Sequence, residues 1–216
     1  MRIAQIAPLF ERGPPQRYGG TERVIYALTE ELVYRGHDVP LFATADSLTS
    51  ARLVPMANAG ARLAGLSDVL PLHLAMLEEV YAQADKFDVI HSHLDVLGFP
   101  FARCASTPTI TTMHGRLDLP DNMPIYKAFP RMPLVSISNH QRLPMPAFIN
   151  WVDTIPHGLP ESLCRFNPHG GDYLAFLGRI CRDKRPDRAI EIAKGLGAKR
   201  GMLLPVSAPF HCSLMA

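Results

Sequence analysis

The stretch Tyr18-Gly19-Gly20-Thr21-Glu22-Arg23-Val24 decides how this chain is read. Ahead of it, Arg2-Ile3-Ala4-Gln5-Ile6-Ala7 has the continuous apolar character of a buried strand and stops at Pro8. Behind it, Val24, Ile25, Leu28 and Leu32 recur at helical spacing until Gly36. The prediction is a strand, a loop over 9–20, and a helix over 21–35 with Thr21 as its cap and Glu22 near the positive end of its dipole. Two glycines let backbone approach a ligand closely, and the unpaired N–H groups of a first helical turn point at it. Gly19 and Gly20 are therefore candidates for anion binding.

Further strands are expected at Val39–Thr44, Phe87–His91, Thr109–Met113, Pro133–Ser138 and Asp153–Ile155. Helices are expected over 70–84, with Leu70, Leu74, Leu77 and Tyr81 on one face, and over 96–103. The polar, Ala-rich segment 46–67 has no usable periodicity. Short apolar strands alternating with helices predict an α/β fold, a Rossmann-like, mostly parallel sheet covered on both faces. Residues 1–160 form this first domain. A linker over 161–172, rich in Pro and Gly, leads to a strand at Tyr173–Leu177 and a helix opened by Pro186, with Ala189, Ile190 and Ala193 as its apolar face. Residues 173–195 thus read as the first strand–helix unit of a truncated second domain, and 196–216 as a foreign-looking tail.

The 216 residues carry a formal net charge of +2, which gives no reason to expect a nucleic-acid partner. The four cysteines, Cys104, Cys164, Cys181 and Cys212, are far apart without paired metal-ligand spacing and read as free thiols in a reducing compartment. No signal peptide or bilayer-length apolar run is evident, so a soluble cytoplasmic protein is expected. Dinucleotide, phosphate-loop and hydrolase-elbow signatures are absent: there is no Gly-x-Gly-x-x-Gly, Walker loop or Gly-x-Ser-x-Gly.

The chemistry-bearing residues share a position. Gly19-Gly20, His91 and His93, His114-Gly115, Asn139, His157-Gly158 and Gly178-Arg179 each follow an expected strand, and open α/β sheets bind ligands beyond the carboxyl ends of their strands. His91 and His93 share a face, but a tetrahedral metal site needs more ligands than His114 alone adds, and no metal is expected. Arg179 and Lys184 frame a basic loop suited to a diphosphate, or simply solvated. His114 can hydrogen-bond a sugar hydroxyl or accept a proton, or be an ordinary loop histidine.

Taken in order, these segments resemble the N-terminal half of family 4 glycosyltransferases of the two-domain GT-B fold. The resemblance rests on 1–7, Tyr18–Arg23, Leu32–Val39, Asp88–His93 and Thr112–Gly115, and on Leu177-Gly178-Arg179 with Lys184-Arg185-Pro186, which resembles the start of the nucleotide-sugar domain. It implies retaining transfer of a sugar from a nucleotide-diphosphate donor to a carbohydrate or lipid-linked acceptor, without a cofactor and with room for peripheral membrane contact. By the same resemblance Gly19 and Gly20 lie against the donor phosphates, Arg179 and Lys184 neutralise the leaving diphosphate, and His114, the catalytic candidate, lies beside the transferred sugar. His93, Asn139 and His157 are candidate acceptor or sugar contacts. His157-Gly158 departs from the Asn-Gly found there in many members.

The larger departure comes after Glu191, where the family's glutamate pair is not found. Instead 197–215 is similar to the catalytic-His segment of malonyl-CoA:acyl-carrier-protein transacylases, with His211 in the place of the catalytic histidine. The Gly-His-Ser nucleophile motif of those enzymes is absent, so acyl transfer is not expected. The alternative to an active transferase is a remnant or acceptor-binding domain that lacks most of the donor site.

Overall fold

The computed structural model describes residues 1–201 apart from 17, 164–166, 170, 179 and 183. The chain divides into two units, Met1–Pro160 and Glu161–Ala216. In the first, the elements follow as β1 (Ile3–Ile6), α1 (Gly20–Tyr34), β2 (Pro40–Thr44), β3 (Arg52–Ala57), α2 (Leu70–Tyr81), β4 (Val89–Ser92), α3 (Phe99–Cys104), β5 (Thr109–Thr112), α4 (Met123–Ala128), β6 (Leu134–Ser136), α5 (Asn139–Arg142) and β7 (Trp151–Thr154). The seven strands form one sheet in the order β3-β2-β1-β4-β5-β6-β7, and all pairs are parallel. Strand order reverses between β1 and β4, the switch point at which open α/β sheets form their ligand crevice.

Side-chain alternation along β1 divides the core. Ala4 and Ile6 join Phe42, Ile90 and the α2 residues Met76, Leu77 and Val80 in one buried cluster. Ala7, Leu41 and Ala43 pack with Ile25 of α1 in another. A third cluster, Phe99, Met113, Leu117, Tyr126, Leu134 and Ile149, fills the β5–β6 side. Each fully buried Leu or Met side chain here contributes about 1.5–3 kcal/mol of hydrophobic stabilisation.

The structure alters several expectations. Helix α1 starts one residue early, with Gly19 as its cap, so Thr21 does not cap it. The reason is local: Gly19 has φ 155, a conformation that favours glycine, and a Cβ there would stand 2.8 Å from Pro15 Cβ. Gly36 ends the helix with φ 82, as its position suggests. The segment 46–67 contains strand β3, whose Pro55 and partly exposed pattern hide it. In α2 the buried face is His73, Met76, Leu77 and Val80, whereas Leu70 (46% exposed) and Leu74 (42%) face outward. The true stripe is rotated by about one residue, roughly 100° around the helix.

In the second unit, Pro186–Gly195 forms helix α6, as Pro186 indicates, with none of its residues buried. Tyr173–Leu177 is not a strand; Tyr173 is 80% and Leu177 94% exposed. An extended apolar run becomes a strand only where another strand completes its hydrogen bonds, and here none of the described residues does. Cys104 and Cys181 are free thiols. Cys164, Arg179, Cys212 and His211, with residues 202–215 of the acyltransferase-like segment, lie outside the described residues. Among the described residues, no helix is long and apolar enough to cross a membrane.

Candidate functional site

The glycine loop after β1 is held from below by buried polar groups. His73 of α2 accepts the Leu9 N–H through Nε2 at 2.9 Å, and Phe10 meets its ring edge-on. Burial lowers the His73 pKa to about 4, so the ring stays neutral and can keep this acceptor role. The β3–α2 loop lies against the same segment, with Ala61 and Arg62 N–H donating to the Leu9 and Phe10 carbonyls. Gly60 permits the approach, since a Cβ there would stand 2.9 Å from Glu11 Cα. Arg62 pairs with the buried Glu11 at 3.3 Å and lies over the Phe10 and Tyr18 rings. Burial raises the pKa of the nearby Glu22 carboxyl, against the pull of its own N–H and of Arg62. Above this base the Gly20 Cα faces open space, with no atom within 4 Å of a Cβ placed on it. The first turn of α1 can receive an anion there.

Beside the switch point lies a chain of histidines. Gln5 of β1 pairs in register with His91 of β4, and His93 follows two residues later on the same face. Thr112 and His114 are likewise two residues apart at the end of β5. The Gln5 amide bridges His91 of β4 and His93 just beyond it, with Oε1 2.9 Å from His93 Nε2 and Nε2 3.3 Å from His91 Nδ1. His93 Nδ1 then meets His114 Nε2 at 2.8 Å, and His114 Nδ1 meets His157 Nε2 at 3.0 Å. His91 Nε2 ends the other branch on Thr112 Oγ1 at 2.8 Å. Gln5 is fully buried and His93 nearly so, whereas His157 is exposed. The chain therefore runs from core to surface.

All four rings are held neutral. Burial lowers His91 to about 4, and burial with His157 and His91 lowers His114 to about 3. His93 falls well below its usual value through burial and its three neighbours, and burial also lowers His157. Among the described residues no group of three or more His, Cys, Asp or Glu could hold a metal ion; these ring nitrogens face each other instead.

The backbone around His114 is fixed twice over. Asp95, in the left-handed region at φ 47, accepts the His114 N–H at 3.3 Å. Burial raises the Asp95 pKa, opposed by the N–H groups of His114 and Gly115. Gln141 of α5 donates to the carbonyls of Met113 at 2.9 Å and Gly115 at 2.8 Å, while accepting the Ile137 N–H. A non-glycine residue at positive φ costs on the order of 1–3 kcal/mol and persists where its surroundings hold it.

Of the residues singled out from sequence, His93, His114 and His157 come together in one hydrogen-bonded chain. Asn139 opens α5 at the surface, and Gln141, two residues on, is the side chain that reaches the His114 loop. Lys184 belongs to the second unit and is exposed. Sequence reasoning misses Gln5, His73, Arg62 and Gln141. For Gln5 a signal exists: it is the one polar residue within the apolar run Ile3–Ala7.

The sequence model of glycosyltransferase family 4 matches residues 18–155. The chain belongs to glycosyltransferase family 4. Among solved structures it resembles AviGT4, a glycosyltransferase involved in avilamycin A biosynthesis, with 20% identity and a TM-score of 0.60. The match covers 91% of this chain and 54% of that one, so the chain spans about half the length of that protein. MurG of Acinetobacter baumannii matches more loosely, with 14% identity, a TM-score of 0.46 and coverage of 74% and 46%. No curated protein matches. At these identities the likeness is one of fold: a Rossmann-like α/β unit of the kind found in GT-B glycosyltransferases.

Proposed function

We propose that this protein takes part in transferring a sugar from a nucleotide-diphosphate donor to a carbohydrate or lipid-linked acceptor, with retention at the anomeric carbon. The observation that carries the reading is the position of the site. In a family 4 chain, an open glycine loop at a helix N-terminus and a neutral histidine chain both stand at the carboxyl ends of parallel strands. Gly20 leaves room for the donor diphosphate at the positive end of α1, and Gly19 makes the tight turn that precedes it. Arg179 and Lys184 supply the cations that a departing diphosphate requires, since donors aimed at developing charge stabilise it most. His157 meets the sugar hydroxyls, with the catalytic candidate His114 and then His93 behind it in the chain and Asn139 toward the acceptor. No cofactor or metal enters this scheme, and it suits a cytoplasmic enzyme that meets its acceptor in solution or at a membrane surface.

The test is release of nucleoside diphosphate from UDP-, GDP- and ADP-sugars by the full chain, with amide NMR of Gly19 and Gly20 in parallel. Donor-dependent release that Arg179→Ala reduces at least tenfold is expected. Undiminished turnover by that variant would remove the phosphate role from Arg179. A second reading is favoured by one observation: the glycine loop and the whole histidine chain lie in the first unit. It is binding of a sugar or acceptor without transfer, and it predicts perturbed amides near His157 with no nucleotide release.

A further inference from the structure

A neutral imidazole has one N–H and one lone pair, so in a row of hydrogen-bonded rings the role of one atom fixes all the others. Here the row begins at an amide with one accepting and one donating end. Gln5 Oε1 only accepts, so His93 Nε2, 2.9 Å away, carries the proton and His93 Nδ1 is bare. His114 must then donate through Nε2 at 2.8 Å, leaving its own Nδ1 bare. His157 donates to that atom through Nε2 at 3.0 Å. What remains at the exposed end is the His157 Nδ1 lone pair, which meets no partner among the described residues. On the other branch Gln5 Nε2 only donates, so His91 Nδ1 is bare and its Nε2–H donates to Thr112 Oγ1.

We propose that Gln5 is the positioning residue that sets the tautomers of this chain, and that it thereby makes His157 Nδ1 a hydrogen-bond acceptor for a sugar hydroxyl. The hydroxyl rests on the glycosyltransferase reading above; the proton positions do not. With the amide turned the other way, every proton in the chain would move to the opposite nitrogen, and His157 would present an N–H outward. One buried amide thus decides whether the surface end of the site accepts or donates. It also gives the two outer rings different work. Both nitrogens of His114 are occupied by other rings, so His114 is an inner link and His157 is the ring that meets a ligand. A charged inner ring would break the row, because an imidazolium donates from both nitrogens and two facing N–H groups repel. A charged His157 would keep its bond to His114 and lose the outward lone pair. The burial of the chain keeps that state away near neutral pH.

The experiment is ¹⁵N NMR of the full chain labelled at histidine, at about pH 7.5, reading the Nδ1 and Nε2 shifts of each ring. The expected result is the Nε2–H tautomer at His91, His93, His114 and His157. An Nδ1–H tautomer at His93, His114 or His157, or an imidazolium at any of them, overturns the proposal. One variant separates tautomer setting from mere support of the fold. In Gln5→Met the row loses its amide, and His157 should show both tautomers. A single tautomer at His157 in Gln5→Met overturns the role given to Gln5. Should that variant fail to fold, the ring shifts of the unsubstituted chain still decide between the two proton patterns. Tautomers as expected without any nucleotide release would count against sugar transfer alone.

Discussion

Helices α2 and α6 each carry apolar residues at helical spacing and end differently. In α2, Met76, Leu77 and Val80 are fully buried against the sheet through Ala4, Ile6 and Ile90. In α6, no residue is buried, and Ile190 and Ile192 are more than half exposed. An amphipathic pattern specifies a helix and names the face it would bury, but supplies no surface to bury it on. The same holds for strands: Ile3–Ile6 and Tyr173–Leu177 are both apolar runs, and among the described residues only the first has neighbours on each side.

Truncation should separate the two helices most strongly. Leu77→Ala should cost about 2–5 kcal/mol by urea denaturation, because it empties a site between α2 and the sheet. A loss below about 1 kcal/mol would mean that α2 is no better anchored than α6. Acid provides the next largest effect, and it should fall on the first unit. Unfolded histidine titrates near 6.5, whereas His73 and His91 titrate at about 4 in the fold. Between those values the unfolded chain binds more protons. Stability is therefore full above about pH 6.5 and falls toward pH 4, by up to about 3 kcal/mol for each such group. Glu22 and Asp95, whose pKa values are raised, act in the opposite sense, since their folded forms bind more protons, but the lowered histidines outnumber them. A urea midpoint unchanged from about pH 7.5 to about pH 5 would contradict this.

Smaller effects refine the contrast at single positions. Gly19→Ala forces a side chain into a left-handed backbone against Pro15 and should cost about 1–3 kcal/mol, whereas Gly20→Ala should leave stability within about 0.5 kcal/mol. If the loop does receive a diphosphate, Gly20→Ala should instead weaken nucleotide binding, which calorimetry would read. Smallest of all, Ile190→Ser on α6 should move the urea midpoint by the equivalent of about 0.5 kcal/mol or less. A loss of about 2 kcal/mol would reveal a partner surface for that helix.

How much of this is legible in the sequence follows from the same physics. Strands β2 and β6 can be read because both of their faces are covered and their sequences are largely apolar, as in Leu41-Phe42-Ala43 and Leu134-Val135. Strand β3 escapes because its Pro55 and half-exposed pattern match no period. The α2 stripe is misleading because Leu70 and Leu74 advertise hydrophobicity at the right spacing, while His73, which belongs to the buried face, looks polar. In the site, histidines at strand ends can be picked out one by one, but not the order in which they bond. That order depends on β1 lying beside β4, a pairing between residues 86 apart in the chain. Gln5 has no motif and acquires its meaning from its neighbours.

That pairing has a consequence for errors of assembly. Gln5 stands opposite His91, and Ile6 opposite Ser92. A slip of one residue would send the amide to the other face of the sheet and leave the histidines beside a hydrocarbon. A misregistered sheet would therefore be recognisable by its imidazole nitrogens, so the proton map of four rings doubles as a proofreading record of how the central strands came together.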